Sequence, residues 1–451
     1  MERLTPQDLM NLWPDDFGWP MDIGALAILD GSALFDPDGP FRIAAVRDAV
    51  ERRLPLVPRF RQVLLTPGSG LGRPLWVDAQ SFDLSRHVGV RQLPAPASEA
   101  QLLLAVEELR GRRLERSRPL WEMWFLPGLP HDRVGMFVKL HHTVADGVSG
   151  VATLGALLGE RAGAPPVPAA EWAPAPLPSR LDLFRDNLRR RITSGQRVLA
   201  ALAHPVDTAD RAGRVWPAAR VGLVGPRAPR TTLNRPIGAH RRFAVVRTRL
   251  DLLKEIAHPE GATVNDVLLT VVAGGLRDLL AGRGERVDGV VLRAFVPVSL
   301  HHERPGQARG NQDAVMVAPL PIGQPDPSRR LQLIAAETTE LKKTANFPAL
   351  NAFPSGVVQR AAWRLARHQR YMNVPITNVP GPTTPLHLAG APVLELFPVT
   401  PISVNLTLGV GALSYAGQFT ITAVADRDAC PDVDVFTAGV LDSLQALARL
   451  P

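Results

Sequence analysis

Apolar positions fall into two rhythms along the chain. Residues 21–29, 119–125 and 134–140 are nearly unbroken apolar runs rich in branched and aromatic side chains, the pattern of buried strands. Residues 59–65 and 75–77 read as two more strands around the turn Gly68 to Gly72. Helical spacing takes over in 43–54, 98–114 and from Val148 onward, where Val151, Leu154, Leu157 and Leu158 repeat. In the second half, 242–246, 291–298, 393–397, 404–408 and 418–424 read as strands, and 337–343 and 357–367 as helices. A further helix opens at Thr263, the expected N-cap, with Asp266 at its third position. No internal repeat is visible. Strands and helices mixed in both halves predict an α/β layered fold.

Length and charge refine this. A chain of 451 residues exceeds what one compact core commonly covers, so two domains are expected. The division falls at 1–161, a linking region 162–237, and 238–451. Residues 162–178 are rich in Pro and Ala and read as a semi-rigid linker. The net charge is +8, and residues 180–230 hold 11 Arg and 4 Asp with no Lys or Glu, so nearly all the excess sits there. Leu181, Phe184, Leu188 and Ile192 line one helical face, with Arg185, Arg189, Arg190 and Arg191 around it. Such a helix suits an anionic membrane surface. It equally suits a helix packed on its own protein with a solvated face. Nucleic acid is the poorer partner, because no recognition motif is present and aromatics are isolated. The single Cys430 excludes a disulfide framework and suits a reducing compartment. The first residues lack the apolar core of a signal peptide, and no run of about 18 apolar residues would span a membrane. A cytoplasmic location is expected, or one on a membrane surface.

The chemistry concentrates in residues 141–147, His-His-Thr-Val-Ala-Asp-Gly. If 134–140 is a strand, His142 shares a face with Met136, Val138 and Leu140, and His141 points the other way with Phe137 and Lys139. Asp146-Gly147 is a turn pair that ends the strand. An imidazole at a strand's end is a candidate general base. Two other readings stand beside it. One is a pair of buried histidines satisfied by backbone. The other, a metal site, is weaker, because neighbouring strand residues face apart and too few ligands share a side. The glycines between 68 and 72 do not follow the phosphate-loop pattern and read as a hairpin loop.

Residues 141–147 resemble the His-His-x-x-x-Asp-Gly signature of the CoA-dependent acyltransferase superfamily, which includes chloramphenicol acetyltransferase and condensation domains. Further segments narrow the resemblance: Pro6-Gln7-Asp8, Pro20-Met21-Asp22-Ile23-Gly24, Arg118-Pro119-Leu120-Trp121-Glu122, Asn265-Asp266-Val267, Gly274-Gly275, Thr377-Asn378-Val379-Pro380-Gly381-Pro382 and Ser414-Tyr415. With these the chain resembles the bacterial wax ester synthase/diacylglycerol acyltransferases. It departs from them at His301, where members often carry Arg, and in the added stretch Gly409-Val410-Gly411-Ala412. Both departures bear on acyl and acceptor preference.

The resemblance implies two chloramphenicol-acetyltransferase-like domains with the active site in a tunnel between them. It implies acyl-CoA as substrate, diacylglycerol or a long-chain alcohol as acceptor, and no metal or separate cofactor. A peripheral membrane or lipid-droplet surface would be the setting. His142 would be the general base, with His141 and Asp146 in support and Gly147 making the turn and leaving room for CoA. Asn265 and Asp266 would contact substrate, although Asp266 has an equal role as a first-turn carboxylate facing the helix dipole. Cys430 has no motif around it and is rejected as a nucleophile. The rivals are a condensation-type enzyme with a non-lipid acceptor and a non-catalytic lipid-surface protein of the same fold.

Overall fold

A computed structural model describes residues 1–37, 39–145, 147–159, 172–203, 227–299, 313–344, 363–364 and 366–449. The first half runs β1 (Glu2–Arg3), α1 (Pro6–Leu12), β2 (Asp22–Asp30), α2 (Ile43–Arg53), β3 (Gln62–Leu65), β4 (Leu75–Asp78), β5 (Val88–Val90), α3 (Glu99–Gly111), β6 (Trp121–Pro127), β7 (Arg133–His141) and α4 (Gly147–Leu158). A long helix, α5 (Arg180–Ala203), follows. The second half runs β8 (Arg241–Arg249), α6 (Leu250–Ala257), α7 (Val264–Gly282), β9 (Leu292–Ser299), β10 (Asp313–Leu320), α8 (Pro327–Thr344), β11 (Val374–Pro380), β12 (His387–Leu388), β13 (Ala391–Val399), β14 (Leu408–Tyr415), β15 (Gln418–Asp426) and α9 (Val433–Ala448).

Two six-stranded mixed sheets carry the molecule. The first has the order β12-β13-β2-β7-β6-β5 and the second β10-β9-β11-β14-β15-β8. A small antiparallel sheet, β1-β4-β3, stands apart. The first sheet draws β12 and β13 from beyond residue 380, so the C-terminal half is stitched into the N-terminal one. β13 runs antiparallel to β2 from Val399↔Gly24 to Val393↔Leu29. One apolar cluster belongs to each sheet, and a third spans both lobes through Leu26, Phe137, Phe243, Phe397 and Val424. Burying aromatic and branched side chains across that seam holds the two lobes together.

The layered α/β expectation is met, with local departures. Residues 59–61 are a 3-10 turn that begins at Pro58, and the strand starts only at Gln62; proline's locked φ favours that turn. The strand expected over 404–408 is a turn with Val404 at φ 57, and pairing begins at Leu408. The added stretch Gly409 to Ala412 therefore lies inside β14. Val404 and Leu406 pack on Trp19 instead, forming a satellite cluster that a period-two pattern mimics. Of the helix expected over 357–367, only residues 363–364 and 366–367 are described, with 363, 364 and 366 helical; the rest lies outside the described residues, as do His301 and most of the linker. In the Gly274-Gly275 pair, a Cβ at Gly275 would sit 2.5 Å from the Phe436 carbonyl oxygen, so glycine permits the close crossing of α7 and α9.

Candidate active site

β7 is buried along nearly its whole length and pairs with β2, placing Asp22 opposite His141. The ladder runs one residue further, where the His142 N–H donates to the Met21 carbonyl at 2.9 Å. The chain then turns through Thr143 and Val144 and enters α4 at Gly147. The two histidines end up in different surroundings. His141 is 2% exposed. The Thr143 backbone N–H, which can only donate, reaches His141 Nδ1 at 3.1 Å, and the Thr143 hydroxyl lies 2.7 Å from the same nitrogen. Nδ1 is thus an acceptor in the neutral ring, and Nε2 carries the proton toward Asp15 Oδ2 at 3.2 Å. Burial of Asp15 works to raise its pKa, but the hydrogen bonds from His141 and the Met21 amide and the charge of Arg116 bring it below the usual carboxylate value.

The face that His141 shares with Lys139 is a buried polar layer. Lys139 Nζ donates to the Leu109 and Arg112 carbonyls at 3.0 and 2.6 Å. Burial pushes the Asp22 carboxyl up, against the pull of Lys139 and Arg110. Arg110 is itself lowered to about 10 by burial and by Arg241. A cleft of about 320 Å³ opens beside this layer, lined by Asp15, Asp22, Arg113, Arg116 and His141 among others.

His142 is only half-buried, and its Nδ1 lies 3.2 Å from the Asn11 side-chain amide nitrogen. Asn11 sits on α1, whose start is fixed by a reciprocal Thr5–Asp8 capping box behind Pro6. Gly147 stands where the lobes meet: a Cβ there would be 3.2 Å from Val379 Cγ2 on β11. Asp146 lies outside the described residues.

Asp266 is occupied within its own helix. Its Oδ2 accepts from the Thr263 N–H at 2.8 Å and hydroxyl at 2.6 Å, and its Oδ1 accepts from the Thr338 hydroxyl at 2.6 Å. Asn265 beside it is half-buried. Cys430 is fully buried and pushed up to about 11, mainly by burial, with an Arg283 N–H donating to its sulfur at 3.0 Å. A thiol so protonated is no nucleophile near neutral pH. Asn11, Asp15 and Thr143 were not singled out in the sequence. Thr143 stands at a wildcard of the His-His motif and Asn11 and Asp15 lie shortly after the family-marked Pro6-Gln7-Asp8; the contacts themselves are made between residues up to 131 positions apart.

Solved structures define the fold class. The starter condensation domain of rhizomide synthetase superposes with a TM-score of 0.60 over 99% of this chain and 94% of that one, at 16% identity, a likeness of fold. The wax ester synthase/diacylglycerol acyltransferase from Marinobacter aquaeolei VT8 superposes better, with a TM-score of 0.71, 25% identity and full coverage of both chains. The wax ester synthase/diacylglycerol acyltransferase catalytic domain matches residues 4–268, and the WS/DGAT C-terminal domain matches residues 309–448. A protein of Mycobacterium tuberculosis named as a probable diacylglycerol O-acyltransferase is 32% identical over all of this chain and 96% of its own length. A protein of Mycobacterium bovis named as a putative diacylglycerol O-acyltransferase matches to the same extent. The chain belongs to the wax ester synthase/diacylglycerol acyltransferase family and is an acyltransferase enzyme.

Proposed function

We propose that this enzyme transfers a long-chain acyl group from acyl-CoA to the hydroxyl of diacylglycerol or of a long-chain alcohol, with His142 as general base. The observation that carries the assignment is the contrast within the His-His pair. His141 has both ring nitrogens engaged inside the protein, whereas His142 is half-exposed in the turn beside the lobe junction. An alcohol is a poor nucleophile near neutral pH, and an imidazole of ordinary pKa ~6.5 is suited to take its proton. The alkoxide oxygen attacks the thioester carbonyl, the C–S bond breaks, and the proton passes to the CoA thiolate. Thiols ionise near pKa ~8.5, so the leaving group departs readily and no acyl-enzyme is required.

Asn11 sets the ring for this role. A half-turn of its amide places the oxygen instead of the nitrogen 3.2 Å from Nδ1, where it accepts Nδ1–H and so fixes the tautomer whose lone pair is on Nε2. Gly147 keeps the helix start close to Val379, Asp146 supports the loop, and the acyl tunnel runs between the lobes. Asn265, beside the capped Asp266, is the one of that pair with a side chain to offer a substrate.

The test is release of CoA thiol from palmitoyl-CoA, supplied separately with diacylglycerol and with hexadecanol. Turnover should fall about 10²- to 10⁴-fold in His142→Ala. Full activity in that variant would remove His142 from the mechanism, and no turnover with either acceptor would remove the lipid reading.

A further inference from the structure

Helix α5 presents its apolar face to solvent, and a different face holds it to the protein. Leu183 packs on Leu75 and Val77 of the small sheet. Asp186 is ion-paired at 2.5 Å with Arg3, whose side chain is fully buried. Asn187 donates to the Gly70 carbonyl at 2.8 Å, and Arg190 to the Met1 carbonyl at 3.2 Å. At about 100° per residue, these four positions form one stripe, and Leu181, Phe184, Leu188, Ile192 and Leu199 form another roughly 160° away. The second stripe is the apolar one, and its members are between 44% and 67% exposed. Five of the thirteen largely exposed large apolar side chains among the described residues lie on this single helix. Scattered exposed leucines need no explanation, whereas a continuous row does.

Charge says what covers the row. On the helical wheel Arg191 borders one side of the apolar stripe, and Arg185 and Arg189 border the other; all three are exposed. The two acidic residues of the helix are used elsewhere: Asp182 in a reciprocal cap with Ser179, and Asp186 on Arg3. The outward face is therefore apolar along its centre and cationic along both edges, with the exposed Asp182 of the first turn beside the edge of Arg185 and Arg189. That complements a surface with an apolar interior and an anionic rim.

We propose that α5 is a docking helix that lies in the headgroup layer of an anionic phospholipid bilayer. Its leucines, Phe184 and Ile192 enter the acyl boundary, and Arg185, Arg189 and Arg191 meet phosphates. The purpose of such docking rests on the lipid-acceptor reading; the geometry does not. Because Arg3 also donates to the Leu183 carbonyl at 3.1 Å, the helix is tied to the strand that leads into α1, which carries Asn11. Docking would thus seat the catalytic lobe itself on the lipid surface that holds its acceptor.

The test is co-flotation of the full chain with vesicles of phosphatidylcholine alone and of phosphatidylcholine mixed with phosphatidylglycerol. The protein should float with the mixed vesicles, more strongly at low than at high salt. Two variants, Phe184→Ser with Leu188→Ser and Ile192→Ser, and Arg185→Glu with Arg189→Glu and Arg191→Glu, should each lower binding by at least about tenfold. Control substitutions at exposed apolar sites elsewhere, Val435→Ser and Leu441→Ser, should leave it unchanged. CoA thiol release with a short-chain, water-soluble alcohol should be the same in all of these proteins. Equal binding to neutral vesicles, or loss of binding in the control alone, would overturn the proposal. So would a solution dimer that the serine variant dissociates, because a second copy would then cover the stripe. Vesicle binding without turnover would sink the lipid-acceptor reading and leave the docking helix standing.

Discussion

Asn11 and Asp22 carry the sharpest consequences for single side chains. If the Asn11 carbonyl accepts Nδ1–H of His142, Asn11→Asp puts a carboxylate against the ring and favours the imidazolium. The acid limb of the kcat/KM profile should then move up by about one pH unit. A profile with an unmoved limb would place Asn11 outside the catalytic geometry. Asp22 behaves oppositely to a paired carboxylate. Burial raises its pKa in the folded chain above the unfolded value, so folded protein binds the proton more tightly. Its contribution to stability therefore falls as pH rises through the window between those two values. Asp22→Asn removes that loss. The variant should melt a few °C above the parent near neutral pH, with the difference narrowing as pH falls into the ordinary carboxylate range. A shift equal at acid and neutral pH would mean the effect is packing, not charge.

At the scale of elements, α7 shows how a family-marked carboxylate can be structural. Asp266 closes the cap of its own helix and also accepts from Thr338 on α8, which is fully buried. Thr338→Val leaves the Asp266 Oδ1 atom without that donor in a dry place, at a cost of about 1–3 kcal/mol. Chemical denaturation should report that loss while KM for acyl-CoA stays at the parent value. A raised KM with unchanged stability would return Asp266 to the substrate. The long helix α5 teaches a related lesson. Its 3.6-residue apolar row was legible, yet the row that packs is the one around Leu183, with Asp186, Asn187 and Arg190 beside it. Amphipathic spacing identifies a helix with two faces; which face meets the protein depends on what the rest of the chain presents.

For the whole molecule, the crossing of β13 into the first sheet makes the two lobes one folding problem. Tyr415, at the end of β14, accepts from the Leu386 N–H at 2.8 Å and donates to the Val393 carbonyl at 3.0 Å, joining the sheets where the chain crosses. Arg247 adds ion pairs to Glu99 and Glu395 across the same seam. Tyr415→Phe should cost about 1–3 kcal/mol, because a buried amide and carbonyl lose their partner. The variant should still unfold in a single thermal transition. Two resolved transitions would mean that the lobes are stable independently, and the crossing strand would then be an ornament.

The sequence by itself determined the element types, the layered class, the His-His turn and the family. These rest on local information: alternation, helical spacing, caps such as Thr263–Asp266, and a motif confined to seven residues. It also located the basic, apolar-faced helix. What only the tertiary structure decided are relations between distant residues: that His141 is sealed by Asp15 and Thr143, that Asn11 reaches His142, that β13 pairs with β2, and that α5 turns its leucines outward. Spacing along a chain fixes which side chains share a face. Which partner that face receives is set by packing across the whole molecule, where segments hundreds of residues apart compete for the same buried surface.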